Sequence, residues 1–177
     1  MIPTSRQKPC ASAIILVEFL FRDGLLSGNG RRLRAICGRA GVITRKMEGD
    51  GATPAGALPL LRVLYRADRV RAPRCAVPVE PISPADAWCD DPADPAYNKP
   101  VRLPFTARHE PLWRHDGIYD VCGVLGWNIS PILPHRGSAI FLHVARPDFS
   151  PTDGCIALAL PDLLTVLAAG LTGIEIS

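Results

Sequence analysis

SAIFLHVARPDFSPTDGCIALAL, residues 138–160, is the stretch on which the fold reading turns. Its first part, Ala139 to Ala145, is apolar and nearly free of breakers, as expected of a core strand that delivers His143 near its end. DFSPTDG, Asp148 to Gly154, is dense in turn formers, and CIALAL begins the next strand. Pro161 then opens DLLTVLAAG at a position a helix tolerates in its first turn, and Gly170 is placed to end that helix.

Working outward, the same alternation of short apolar runs and breakers covers the chain. Ile14 to Phe21 and Arg32 to Cys37 read as two strands joined through DGLLSGNG, where Gly28, Asn29 and Gly30 supply the turn. KMEGDGATPAG, Lys46 to Gly56, has too many turn formers for regular structure and reads as a shaped surface loop. Leu58 to Tyr65 is another strand, and order returns in Tyr119 to Asn128. Between them, Pro78 to Pro111 is rich in Pro and Asp, with Trp88 and Tyr97 as expected anchors of an ordered excursion.

Composition agrees with a mostly β chain. With 18 Pro and 15 Gly among 177 residues, long helices are interrupted, while Val and Ile cluster in short runs. A 47% hydrophobic content supplies a core and excludes a disordered chain. The net charge of +3 comes from basic residues spread along the sequence, which does not argue for nucleic acid. An anionic polymer such as a cell wall is tolerated by that balance. The apolar run Ala11 to Phe21 contains Glu18 and is too short to span a bilayer, so no stable membrane insertion is expected. Arg6 and Lys8 precede it as in a signal peptide, but no convincing small-residue cleavage site follows, and a strand is the preferred reading.

Six cysteines, Cys10, Cys37, Cys75, Cys89, Cys122 and Cys155, form no CxxC pair, which disfavours a zinc knuckle or a thioredoxin-like site. The first five read as reduced, structural thiols. Cys155 differs because it follows TDG: Gly154 permits a sharp turn that sets the sulfur at a rim with backbone amides directed into the same space. His143 lies 12 residues earlier, far enough for the chain to fold back and bring an imidazole to that sulfur. A metal hydrolase built from His109, His115, His135, His143 and Cys155 is the competing enzyme class. His109 and His115 are six apart, however, and give no HExxH arrangement, so no metal and no cofactor are expected. His135 reads as a loop residue, and Trp88, Trp113 and Trp127 as packing anchors.

At these residues the sequence resembles the YkuD-type L,D-transpeptidase catalytic domain. The resemblance rests on SAIFLH (138–143) and TDGCIAL (152–158), on KMEGDGATPAG, on the DDP and YN elements at Asp90 and Tyr97, and on GRAGV and GWN. These follow in the family's order over roughly positions 30 to 167. It implies a mostly β, sandwich-like fold with short helices, one near the C-terminus, in a single catalytic domain over 12–177 with the excursion at about 78–111. It also implies that Cys155 is the nucleophile and His143 the general base, that Gly154 and the Cys155 amide form the oxyanion hole, and that Thr152 occupies the Ser or Thr position before the catalytic turn. The implied partners are peptidoglycan stem peptides and, as covalent inhibitors, carbapenems; the implied location is the cell envelope or periplasm, with a cytoplasmic role on recycled wall peptides as the alternative where no clear signal peptide is read. Transfer to an amine is preferred, with L,D-carboxypeptidase activity or noncatalytic wall binding as alternatives.

Two positions depart from the commoner SHGCxR pattern: Asp153 stands for His, and Ala157 for the polar residue, commonly Arg, after the cysteine. Loss of that guanidinium removes a bidentate carboxylate clamp. Arg146, close behind His143, is the candidate substitute, Thr152 and Asp153 are further candidate substrate contacts, and Asp153 is expected either to orient His143 or to repel a substrate carboxylate.

Overall fold

The computed structural model describes residues 19–177. The segment Ile14 to Glu18 of the first expected strand lies outside them. From Phe19 the chain forms a three-stranded antiparallel meander of β1 (Phe19–Arg22), β2 (Leu25–Gly28) and β3 (Arg31–Ile36). DGLLSGNG is therefore a strand between two turns, which corrects the single-turn expectation. Asp23-Gly24 and Asn29-Gly30 all have positive φ, the geometry of two-residue hairpins whose twist matches the flanking strands.

Short strands β4 (Val42–Ile43) and β5 (Thr53–Pro54) pair in parallel inside the loop region, so the Lys46–Gly56 segment carries one small regular element. β6 (Gly56–Tyr65) is the longest strand, and β7 (Val79–Pro81) pairs with its end in parallel. β8 (Asp86–Cys89), β9 (Pro100–Arg102) and β10 (His109–Pro111) make the excursion a separate three-stranded sheet. β11 (Val121–Leu125), β12 (Phe141–Val144) and β13 (Ile156–Leu158) follow, then α1 (Leu160–Ala168) and β14 (Gly173–Ile176). Pro161 sits in the first turn of α1. Gly170, at φ +91°, ends it, with the Gly170 N–H on Leu167 O and the Leu171 N–H on Val166 O.

The large sheet runs β11-β12-β13-β3-β2-β1-β14-β6, and β6 pairs back onto β11, so the sheet closes into a barrel. Closure removes the exposed edges that an open sheet of this size presents. Side-chain alternation then sorts two cores. Phe19, Phe21, Leu26, Ala35, Val121, Leu142, Ile156 and Leu158 point inward and pack with Leu163 and Leu167 of α1. Cys122, Val124 and Phe141 point outward and are covered by Trp88, Leu112, Ile118 and Tyr119. Phe141 meets the Trp88 and Tyr119 rings edge-on, with centroids 5.3 and 5.7 Å away. Among the described residues, no helix is long and apolar enough to cross a membrane.

Candidate active site

β12 and β13 lie side by side in parallel, with Leu142 opposite Ile156 and His143 opposite Ala157. Leu142 and Ile156 fill the barrel, so His143 faces outward, as does Cys155, two residues before Ala157. Both side chains line one cleft of about 460 Å³. It opens where the small sheet stops covering the barrel.

The turn that presents Cys155 is held from both sides. Gly154 has φ +139°, and a Cβ there would lie 2.8 Å from the Ala52 carbonyl oxygen, so only glycine fits. The buried Thr53 hydroxyl accepts the Gly38 N–H and donates to Gly154 O, both at 2.8 Å. Thr152 donates its hydroxyl to Cys155 O (2.6 Å) and accepts the Gly154 N–H (3.2 Å). Its own N–H donates to Cys37 O, and its carbonyl accepts from Arg39. The Thr152 hydroxyl is thus committed inside the turn. One of the two expected oxyanion donors, the Gly154 N–H, is engaged by it.

The Cys155 sulfur is half-buried. It donates to Ala139 O at 3.3 Å and receives the Phe141 N–H at 3.4 Å. Burial pushes its thiol up to about 12, against the opposing pull of the Phe141 N–H. Burial also drives His143 down to about 4, with the Arg146 and Arg114 charges acting in the same direction and its bond to Val144 O opposing. That bond is 2.9 Å long and fixes the tautomer: a carbonyl can only accept, so Nδ1 carries the proton and Nε2 keeps its lone pair. Near neutral pH the Cys155 thiol and the His143 imidazole are therefore both uncharged.

Residues that were not expected at the site form its walls. Tyr119 meets the His143 ring edge-on at 5.4 Å and donates its hydroxyl to Glu110 at 3.0 Å. Glu110 also takes Arg114 at 3.2 Å, and burial holds its carboxyl above the ordinary range. Behind this wall, the buried Arg66 guanidinium sits 3.5 Å over the Trp113 ring and donates to the Arg114 carbonyl. On the opposite wall, Glu48 accepts from Tyr97 (2.5 Å) and Ser138 (2.8 Å), and the Glu48 carboxylate pushes the Tyr97 phenol upward together with burial. Lys46 is only 3% exposed and is pinned to Asp50 and to the Met47 carbonyl. Asn98 ties the YN and GWN elements to the site, taking the Trp88 indole and the Ala139 N–H on one oxygen while donating to Trp127 O and Asn128 O.

Arg146 is exposed and lines the cleft. Among the described residues it has no ion-pair partner, whereas Lys46, Arg108 and Arg114 are each paired with an acid. Asp153 also lines the cleft and forms an exposed ion pair with Arg39. Ala157, at the family's usual polar position, is fully buried opposite Ile36. Cys155, His143 and Arg146, named from the sequence, all line this one cleft. Glu110 and Tyr119 were missed because HEPLWRHDGIYD (109–120) has no periodic pattern, although its density of charged and aromatic residues was the available signal.

His109 bonds through Nδ1 to Ala107 O, and no group of three or more His, Cys, Asp or Glu among the described residues is placed to hold a metal. No curated protein and no solved structure matches the chain. Residues 17–173 match the YkuD family, described as the L,D-transpeptidase catalytic domain. With that match spanning nearly the whole sequence, and with a mostly β barrel and a single short helix near the C-terminus, the chain belongs to the YkuD family, whose activity is a transpeptidase-type modification of peptidoglycan.

Proposed function

We propose that this chain is an L,D-transpeptidase that attacks a peptidoglycan stem tetrapeptide through Cys155, releases D-Ala and transfers the acyl group to an amine. The observation that carries this reading is the delivery of Cys155 and His143 to the same outward face of adjacent parallel strands, where both line one cleft.

Because both groups rest neutral, the sulfur gives up its proton as it attacks. The His143 Nε2 lone pair accepts that proton while Sγ bonds to the carbonyl carbon before the terminal D-Ala. Negative charge builds on the carbonyl oxygen and is met by the Cys155 N–H, joined by the Gly154 N–H once it exchanges its long bond to Thr152. Collapse breaks the C–N bond, and the imidazolium returns its proton to the departing D-Ala amine. A thioester on Cys155 remains. An acceptor amine then attacks it, loses a proton to Nε2 and displaces the sulfur, which takes that proton back. Arg146, the cleft cation without an acid partner among the described residues, pairs with a substrate carboxylate in place of the arginine that Ala157 replaces. Thr152 holds the turn, and Asp153, paired with Arg39, leaves the imidazole free.

Intact-mass measurement after mixing the protein with a wall tetrapeptide, and separately with a carbapenem, tests the proposal. A mass increase mapped to Cys155 is expected, and it disappears in Cys155→Ala. An adduct that persists in Cys155→Ala sinks the assignment. Water replacing the amine gives hydrolysis from the same thioester, so product analysis with and without added amine separates transpeptidation from carboxypeptidation.

A further inference from the structure

Basic residues that are scattered along the sequence are gathered by strand register. Across the meander, Arg22 stands opposite Leu25 and Leu25 opposite Arg34; in the next row, Leu20 stands opposite Ser27 and Ser27 opposite Arg32. Partners directly opposite share a face, and Arg32 and Arg34 are two apart on one strand, so the three arginines project from one side of the sheet. That side is the outside of the barrel, because the alternating residues Phe19, Phe21, Leu26 and Ala35 fill the inside. The small sheet covers the outer face over β11 and β12, yet Leu20, Arg22, Arg32 and Arg34 are exposed. Among the described residues, none of these three arginines has an ion-pair partner. Among the described residues the face also carries an acid, Glu175, opposite Leu20.

This face belongs to the strands that pair, through β13, with the strand carrying His143. Ala157, beside His143, stands opposite Ile36, and Arg34 is the next outward residue along the same strand. The step from Ala157 to Arg34 is about one strand spacing sideways and two residues along, on the order of 8 Å. A second link runs through the loop behind the site: the Arg34 guanidinium lies 4.1 Å from the Phe149 ring centroid, and Phe149 closes a turn onto the Arg146 carbonyl. Stacking on a ring orients a guanidinium without neutralising it, so its donors stay available to an anion.

We infer that the outer face of β1–β3, through Arg22, Arg32 and Arg34, is a docking surface for the carboxylate-bearing peptidoglycan strand whose stem peptide enters the cleft. The identity of the polymer rests on the proposed function; the existence of the surface does not. Charge complementarity selects the partner: cations on one face that have no ion-pair partner among the described residues attract a polyanion, and Arg34 is linked through Phe149 to the loop of Arg146. The surface holds the polymer and takes no part in the chemistry.

Co-sedimentation with purified peptidoglycan, at low and at high salt, tests this. The variants are Arg22→Gln/Arg32→Gln/Arg34→Gln and the charge-retaining Arg22→Lys/Arg32→Lys/Arg34→Lys. Wild type is expected to bind at low salt and to release as salt rises; the Gln variant binds on the order of tenfold more weakly, and the Lys variant keeps most of its binding. All three acylate at Cys155 equally with soluble tetrapeptide. Equal binding by wild type and the Gln variant overturns the inference, as does equal loss in the Lys and Gln variants. Capture of wild type by anionic phospholipid vesicles and not by peptidoglycan also overturns it, by assigning the surface to a membrane. Failure of tetrapeptide acylation with salt-sensitive peptidoglycan binding intact defeats the proposed function and leaves the docking surface standing.

Discussion

Burial raises the Cys155 thiol and lowers the His143 imidazole, so both are neutral at pH 7, and two consequences follow for these residues. A thiol pushed up to about 12 holds roughly one thiolate in 10⁵ at pH 7, so in the absence of substrate Cys155 alkylates more slowly than an ordinary cysteine. Adduct mapping after iodoacetamide is expected to show labelling at Cys155 that climbs tenfold per pH unit through pH 9 without levelling. A plateau near pH 7 means a preformed thiolate. The second consequence concerns stability. Because folding depresses His143 from 6.5 to about 4, the unfolded chain binds the extra proton between those values, and stability falls as pH drops through that window. Full conversion of the shift corresponds to about 3 kcal/mol at most. Glu110, held above 4.5 by burial, acts in the opposite sense, so the comparison that isolates His143 is wild type against His143→Gln. Urea unfolding at pH 7 and pH 4.5 is expected to show a smaller acid loss in the variant.

At the scale of elements, the site is made by joining three segments that are remote in sequence. The Thr53 hydroxyl bridges Gly38 at the end of the meander to Gly154 in the turn before Cys155. Thr53→Val removes one partner from each of two backbone groups, at on the order of 1–3 kcal/mol for each group left buried and unpaired. A fall in Tm of several degrees is expected, with a larger proportional loss of Cys155 acylation, because the turn carrying the sulfur loses its brace. Tm and acylation rate measured on one preparation check both. This brace was only half legible. The KMEGDGATPAG loop was read as shaped, but the role of Thr53 depends on a contact across |i−j| of 101 residues that spacing does not report. DGLLSGNG shows the reverse failure: two hairpin turns were present as Asp-Gly and Asn-Gly, yet the two leucines between them were read as loop because the segment is short.

For the whole molecule, the barrel provides stability and its contact with the small sheet provides the cleft. Leu142 and Phe141 are neighbours on β12, both fully buried, one in each core. Leu142→Ala opens a cavity inside the barrel and is expected to cost about 2–5 kcal/mol in chemical denaturation. Phe141→Leu keeps most of the volume and costs less, but it loses the edge contacts to Trp88 and Tyr119 that seat the cleft wall against the barrel. Acylation in that variant is expected to fall by more than its stability loss accounts for, and a matched set of denaturation and acylation curves tests the contrast.

Local features are legible in the chain alone: strands where apolar residues cluster, a helix opened by Pro161 and stopped by Gly170, a glycine-led turn before Cys155, and a histidine near the end of the preceding strand. Each depends on a few neighbouring residues, whose backbone preferences are strong enough to be read one at a time. Tertiary structure alone decided which strands adjoin, that β6 closes the barrel onto β11, that Tyr119 and Glu110 back His143, and that three scattered arginines share one face. The physical reason is that pairing partners are chosen by burial summed over the whole sheet, so no single segment carries the information that sets its neighbour.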